Sequence, residues 1–195
     1  MDFQKSKKLL GIVSLVYWVL AAAIFLAAGA QFHYRPVTDE VASSNATIGE
    51  IVDGMVVEQT LAAPGDQLTV VSLMPGSHGW IKDGLVHVTL TTEDGTVVLR
   101  KDLATVDLVN KQYIYCDLDQ PLNTLRGEKL LLMLTTEGCS KGKGVTFYYG
   151  DMVSAGRFEI VQEVPENQCY TIDGAIGNGR LCVKLDGIQQ LNFYK

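Results

Sequence analysis

Apolar and polar positions change their rhythm twice along this chain. From Leu9 to Ala30 (LLGIVSLVYWVLAAAIFLAAGA) no charge interrupts an apolar run. At about 1.5 Å of rise per residue, a helix over this stretch matches a hydrocarbon core of about 30 Å. Residues 9–30 therefore predict a membrane-spanning helix. His33 to Ser44 (HYRPVTDEVASS) is polar, holds one proline and shows no period, which predicts a spacer over residues 31–47. From Ile48 onward the period becomes two, as in strands with one buried face.

Strands are expected at Met55–Leu61 and Leu68–Met74, with Ala63-Pro64-Gly65-Asp66 as the turn between them. Leu85–Thr92 (LVHVTLTT) alternates cleanly, so Val86, Val88 and Leu90 should face the core while His87 and Thr89 face out. Glu93-Asp94-Gly95-Thr96 then predicts a tight hairpin into Val97–Arg100, since Asp-Gly tolerates positive φ. Asp102–Val109 reads as a short helical crossover. Strands resume at Gln112–Leu118, Leu130–Thr136 (apolar on both faces, hence central), Val145–Tyr149, Arg157–Glu163, Leu181–Leu185 and Leu191–Tyr194. The expected fold is mainly β, a β-sandwich or jelly roll over residues 48–195 preceded by one transmembrane helix.

Charge sets the orientation. Lys5, Lys7 and Lys8 in the tail of residues 1–8 outnumber Asp2, so the positive-inside rule keeps the N-terminus cytoplasmic and exports the domain. The rival expectation is a cleaved signal peptide, with small residues Ala28-Gly29-Ala30 before Gln31. The run is longer than the usual signal core, which favours an uncleaved anchor at the cell membrane. A net charge of −6 argues against a nucleic-acid partner, because displacing phosphate counterions needs a basic surface.

Outside the cytoplasm disulfides persist, so the four cysteines admit pairing. Cys169 with Cys182 is favoured, because the Gly-rich stretch between them can fold as a hairpin, and Cys116 with Cys139 is then left to pair. The alternative is four buried thiols. Without a Cys-x-x-Cys, zinc and thioredoxin-like chemistry lack support. His33, His78 and His87 sit at no metal-site spacing, and no cofactor motif is present. The glycines around Lys143 and between Gly174 and Gly179 read as turns, and Asn45-Ala46-Thr47 is a glycosylation sequon.

Two readings of the side chains compete. His78, Cys139 and Arg157 occur in the order used by sortase-like cysteine transpeptidases: a thiolate attacks a carbonyl, a histidine protonates the leaving amine and an arginine steadies the oxyanion. The motif's threonine before the cysteine is Gly138 here, which weakens the likeness. The favoured reading is binding rather than catalysis. Trp80 and His78 before one strand, with Tyr148, Tyr149 and Asp151 after another, form a candidate patch for stacking sugar rings.

Ile48 to Tyr149 carries a further likeness. The strands Val56-Val57-Glu58-Gln59-Thr60 and Gly84 to Leu90, with the ending Tyr148-Tyr149-Gly150, resemble extracytoplasmic β-sandwich domains near the first transmembrane helix of bacterial envelope membrane proteins, some of them glycosyltransferase-like or polysaccharide-handling. The resemblance implies a sandwich and transfers no catalytic residue. It also implies that longer relatives continue into further membrane helices, so this chain could be a stand-alone form or a truncated ectodomain. The expected partners are the lipid bilayer through residues 9–30 and either a cell-wall glycan or a polytopic membrane protein.

Overall fold

The computed structural model describes residues 10–24, 34–41, 44, 46–76, 83–155, 160–163 and 169–190. The chain divides into two units, one of Met1–Arg35 with Gln190–Lys195 and one of Pro36–Gln189. In the first, residues 10–24 form an α-helix. Its large apolar side chains stay exposed, from Leu10 and Ile12 through Tyr17 and Trp18 to Ile24. At about 1.5 Å per residue it extends about 22 Å. Among the described residues no helix is long and apolar enough to cross a membrane. The remainder of the expected span, Leu9 and residues 25–30, lies outside the described residues, as do the three N-terminal lysines and His33.

In chain order the strands are β1 (Tyr34–Asp39), β2 (Ala46–Thr47), β3 (Val57–Ala62), β4 (Gln67–Leu73), β5 (Pro75–Gly76), β6 (Leu85–Thr92), β7 (Val97–Ala104) and β8 (Ile114–Asn123). They continue with β9 (Lys129–Glu137), β10 (Thr146–Gly150), β11 (Met152–Ala155), β12 (Ile160–Glu163), β13 (Thr171–Ile172), β14 (Ala175–Ile176), β15 (Arg180–Leu181) and β16 (Val183–Gln190). A six-stranded sheet runs β14-β13-β3-β9-β6-β7, and a four-stranded sheet runs β1-β16-β4-β8. β10 pairs with β15, β2 and β5, while β11 and β12 form a separate ribbon. The chain passes from the larger sheet to the smaller between β3 and β4, returns by β6, and crosses twice more around β8.

Period two explains the core. Val57 and Leu61 of β3, Val86, Val88 and Leu90 of β6, and Leu130, Leu132 and Leu134 of β9 point inward from the larger sheet. Leu68, Val71 and Leu73 of β4, Cys116 of β8, and Val183 and Leu185 of β16 supply the smaller sheet's share of the same cluster. Burying such aliphatic side chains stabilises the fold by roughly 1.5–3 kcal/mol each. This is a sandwich-like, antiparallel, mainly β architecture.

Several expected elements differ in detail. β9 is central, yet Leu131 is 38% exposed, because an antiparallel sheet needs cover on one face only. Asp102–Val109 is no helical crossover. β7 continues to Ala104, opposite Leu85, since Leu99 and Leu103 keep the strand period and are buried. Only Thr105–Asp107 turns as a 3₁₀ helix. The expected spacer contributes β1 and β2, with β1 showing alternating exposure and its Thr38 Oγ1 donating to Asp186 on β16 at 2.7 Å. The expected strand Leu181–Leu185 divides between β15 and β16. The Asp94-Gly95 hairpin is present: Gly95 takes φ +85°, and Asp94 Oδ1 accepts from Thr92 Oγ1 and the Thr96 N–H. Leu191–Tyr194 and residues 156–159 lie outside the described residues.

Candidate functional site

The two ends of the sandwich are built differently. One carries short turns at Ala63–Asp66, Glu93–Thr96 and Thr124–Glu128. The other gathers the longer connections that precede β3, join β5 to β6, join β7 to β8 and leave β9. Tyr148 and Cys139 lie at this second end.

Tyr148 and Tyr149 are neighbours on β10 and therefore project to opposite faces. Tyr149 packs against the core and against the ring of Tyr170, with centroids 5.4 Å apart. Tyr148 is half-buried, and its hydroxyl donates to Asn110 Oδ1 at 3.2 Å. The Lys111 ammonium stands 5.3 Å from its ring centroid, within cation–π range. Lys111 adopts φ +59°, unusual for a side chain of its size, and its N–H donates to the Pro75 carbonyl at 3.0 Å. A Cβ added at Gly76 would lie 3.5 Å from Tyr148 Cε2. The Tyr148 ring thus borders the start of the β5–β6 connection. His78 and Trp80 belong to that connection but fall outside the described residues. Asp151 is exposed just past β10. Of the proposed sugar-binding residues, the structure separates Tyr149 from Tyr148 and surrounds Tyr148 with Asn110 and Lys111, which the strand pattern alone did not single out.

Cys139 lies in a loop organised by two carboxylates. Asp53 accepts from the N–H groups of Gly138 and Cys139 at 2.8 and 2.9 Å. Glu50 Oε1 accepts from those of Gly142 and Gly144. Burial and then the negative Asp53 push the Cys139 thiol up from its ordinary value. That holds it as a neutral thiol, a poor nucleophile. The adjacent amides, which a transpeptidase would turn toward an oxyanion, are taken by Asp53. Arg157 lies outside the described residues.

No disulfide joins Cys116, Cys139, Cys169 and Cys182 in the structure. A hairpin does lie between Cys169 and Cys182, β13–β14 turning at Asp173-Gly174 with φ +48° and +81°, but its register sets Thr171 opposite Ile176, so Cys182, beyond β15, does not stand opposite Cys169 at its base as expected. Burial pushes the Cys182 thiol up to about 12. Among the described residues no group of three or more His, Cys, Asp or Glu is arranged to hold a metal ion.

His87 makes a second polar constellation, on the outer face of the larger sheet. Its Nδ1 lies 2.7 Å from Asp102 Oδ1 on β7, and its Nε2 lies 3.3 Å from Glu137 Oε2 at the end of β9. The hydrogen bond with Asp102 raises the imidazole above its ordinary 6.5; burial opposes it next in size, and the charges of Asp102 and Glu137 add to the rise.

No protein-family model and no curated protein matches this chain. A solved structure of infectious bursal disease virus, Gt strain, is similar over 83% of this chain, with 14% identity and a TM-score of 0.33. The chain spans 37% of the length of the viral chain it matches.

Proposed function

We propose that this protein is a membrane-anchored, extracytoplasmic binding module of a bacterial cell envelope, with a jelly-roll-like domain that holds a glycan at its loop-bearing end. The observation that carries the anchor is the helix over residues 10–24. Leu10, Ile12, Leu15, Trp18 and Ile24 lie at different angles around it and are each at least 60% exposed. A helix that is apolar all round is stable only in an apolar medium, and the uncharged sequence continues to Ala30. The resemblance to envelope ectodomains points the same way.

The observation that supports the ligand surface is the grouping of Tyr148, Asn110 and Lys111 beside Gly76, four residues before Trp80 in the sequence. An aromatic face, an amide and an ammonium are the groups that recognise sugar rings with polar or acidic substituents. Two experiments test the reading. After alkaline carbonate washing the full chain should stay with the membrane pellet, whereas a chain starting at Gln31 should be released. On an array of bacterial envelope glycans, Tyr148→Ala and Trp80→Ala should each weaken binding at least tenfold. Full release by carbonate refutes the anchor, and glycan binding unchanged in both variants refutes the site.

A further inference from the structure

His87 occupies the middle of a three-strand ladder. On β6 it faces Asp102 of β7 and Thr135 of β9 in register, and Glu137 reaches it from two residues beyond Thr135. A neutral imidazole carries one N–H and can donate to one carboxylate only, while the imidazolium carries two and can donate to both. Here both ring nitrogens already face carboxylates, and those belong to different strands. The geometry suits the charged form.

The two carboxylates also sit where the strands become loops. Asp102 is two residues from the end of β7, after which Thr105 donates from its N–H and its hydroxyl to the Gly84 carbonyl at 2.9 and 3.1 Å. That connection then carries Asn110 and Lys111 to Tyr148. Glu137 ends β9 and leads into Gly138 and Cys139, which Asp53 holds. β7 is the edge strand of its sheet and pairs with β6 alone, so an extra tie across β6 bears on the least supported part of the framework.

We propose that His87 is a proton-operated clamp: as imidazolium it ties β7 and β9 together across β6 through Asp102 and Glu137, stiffening the loops around Tyr148 and strengthening ligand binding as pH falls. The link to binding rests on the reading of the Tyr148 surface given above; the clamp itself does not. The charged groups that face His87 are Asp102 from β7 and Glu137 from β9, with Arg100 two positions along the same face of β7. β6 contributes no other titratable side chain. Because the folded imidazole titrates above its unfolded value, the stabilisation is full below about pH 6.5 and is lost as pH rises through the folded value.

The test is amide hydrogen exchange on the full chain at pH 5.5 and 8.0, corrected for intrinsic rates. Exposed ion pairs are worth about 0.2–1 kcal/mol, so protection across Val97–Ala104 and Lys129–Glu137 should rise about 1.4- to fivefold at the lower pH. His87→Gln should lose this rise, and equal pH dependence in the two proteins overturns the clamp. Independently of any variant, the His87 ring must titrate above 6.5 by nuclear magnetic resonance; titration at or below that value also overturns it. Binding of soluble peptidoglycan fragments supplies the second arm. Tighter binding at pH 5.5 in the wild type alone supports the link to the loops, and equal binding at both pH values refutes that link. No binding at either pH counts against the Tyr148 reading, while the exchange data still decide the clamp.

Discussion

Gln59 is the sharpest place to test how the layers of this fold are joined. It lies on β3 with its side chain turned inward among leucines, 1% exposed, and its Oε1 accepts from the Leu181 N–H at 2.8 Å. The next N–H along, that of Cys182, donates to the Tyr148 carbonyl of β10. Alternation along an extended chain therefore turns the Leu181 N–H away from β10, and Gln59 meets it there. Gln59→Leu keeps the volume nearly constant but removes the acceptor, leaving a buried donor unsatisfied at a cost of about 1–3 kcal/mol. Gln59→Ala adds a cavity and should cost more, about 3–5 kcal/mol in all. Gln59→Glu keeps an oxygen in place but buries a carboxyl group. Its folded pKa should rise above the unfolded value of about 4.3, so its stability should fall as pH climbs from there to the folded value. Urea denaturation followed by circular dichroism measures all three, with an unchanged slope showing that the midpoint shift reports stability. A Gln59→Leu protein within about 0.3 kcal/mol of wild type would refute the claim that this side chain serves as the acceptor for β15.

Three further outcomes follow from particular contacts. Gly84→Ala should destabilise by at least about 2 kcal/mol, because the residue holds φ +143° and a Cβ would lie 2.6 Å from the Glu137 carbonyl oxygen; a melting temperature within a degree of wild type would contradict this. Asp53→Ala should speed amide exchange at Gly138 and Cys139 and cost about 1–3 kcal/mol, and unchanged exchange at those two amides would show that the carboxylate is dispensable. Cys139 in the native protein should react with iodoacetamide at pH 8 at least about tenfold more slowly than half-buried Cys169, as mass mapping of the alkylated peptides would show; equal rates would restore Cys139 as a candidate nucleophile.

Where local chemistry decided the outcome, the sequence was readable. Leu85–Thr92 alternates without interruption in sequence, and its ends in the structure are the predicted ones, although Thr89, expected to face out, is buried between its cross-strand neighbours Arg100 and Met133. Counting back from the Asp94-Gly95 turn places Asp102 opposite His87, so half of that constellation could have been read from the hairpin. The other half could not, because β9 meets β6 from far along the chain and nothing local sets the register. β1 was hidden for a related reason: Pro36, Arg35 and Asp39 look like linker residues, and only β16 makes this stretch a strand. Asp39 gains its meaning from Arg180, a buried ion-pair partner on β15. Asp102–Val109 misled through propensity, since tertiary pairing with β6 outweighs local preference over so short a stretch.

What the Tyr148 end can offer the proposed ligand depends on how its longer connections are held. At the opposite end the Asp94-Gly95 turn is closed by its own backbone and side chains, while Ala63–Asp66 and Thr124–Glu128 are tied to each other, Thr124 Oγ1 donating to the Gly65 carbonyl at 2.8 Å and the Ala63 N–H to the Glu128 carbonyl at 2.9 Å; those turns are short and carry no aromatic side chain. At the Tyr148 end the connections are tied by contacts distant in sequence: Asp53 and Glu50 to residues 138–144, Thr105 to Gly84, and Lys111 to Pro75. Each such tie lowers the entropy a loop must lose when a ligand binds. Holding Lys111 in a left-handed conformation over an aromatic ring costs about 1–3 kcal/mol, and the contact to Pro75 is among those that offset it. A surface kept only for solubility has no need of that constraint, whereas one that must present an ammonium beside Tyr148 at a fixed angle does. On this argument, Lys111→Gly should relieve the backbone and leave the fold as stable or slightly more so while weakening glycan binding, a split between stability and affinity that thermal melting and array binding on the same variant would expose. A loss of stability together with an unchanged affinity would mean that Lys111 serves the fold and not a ligand.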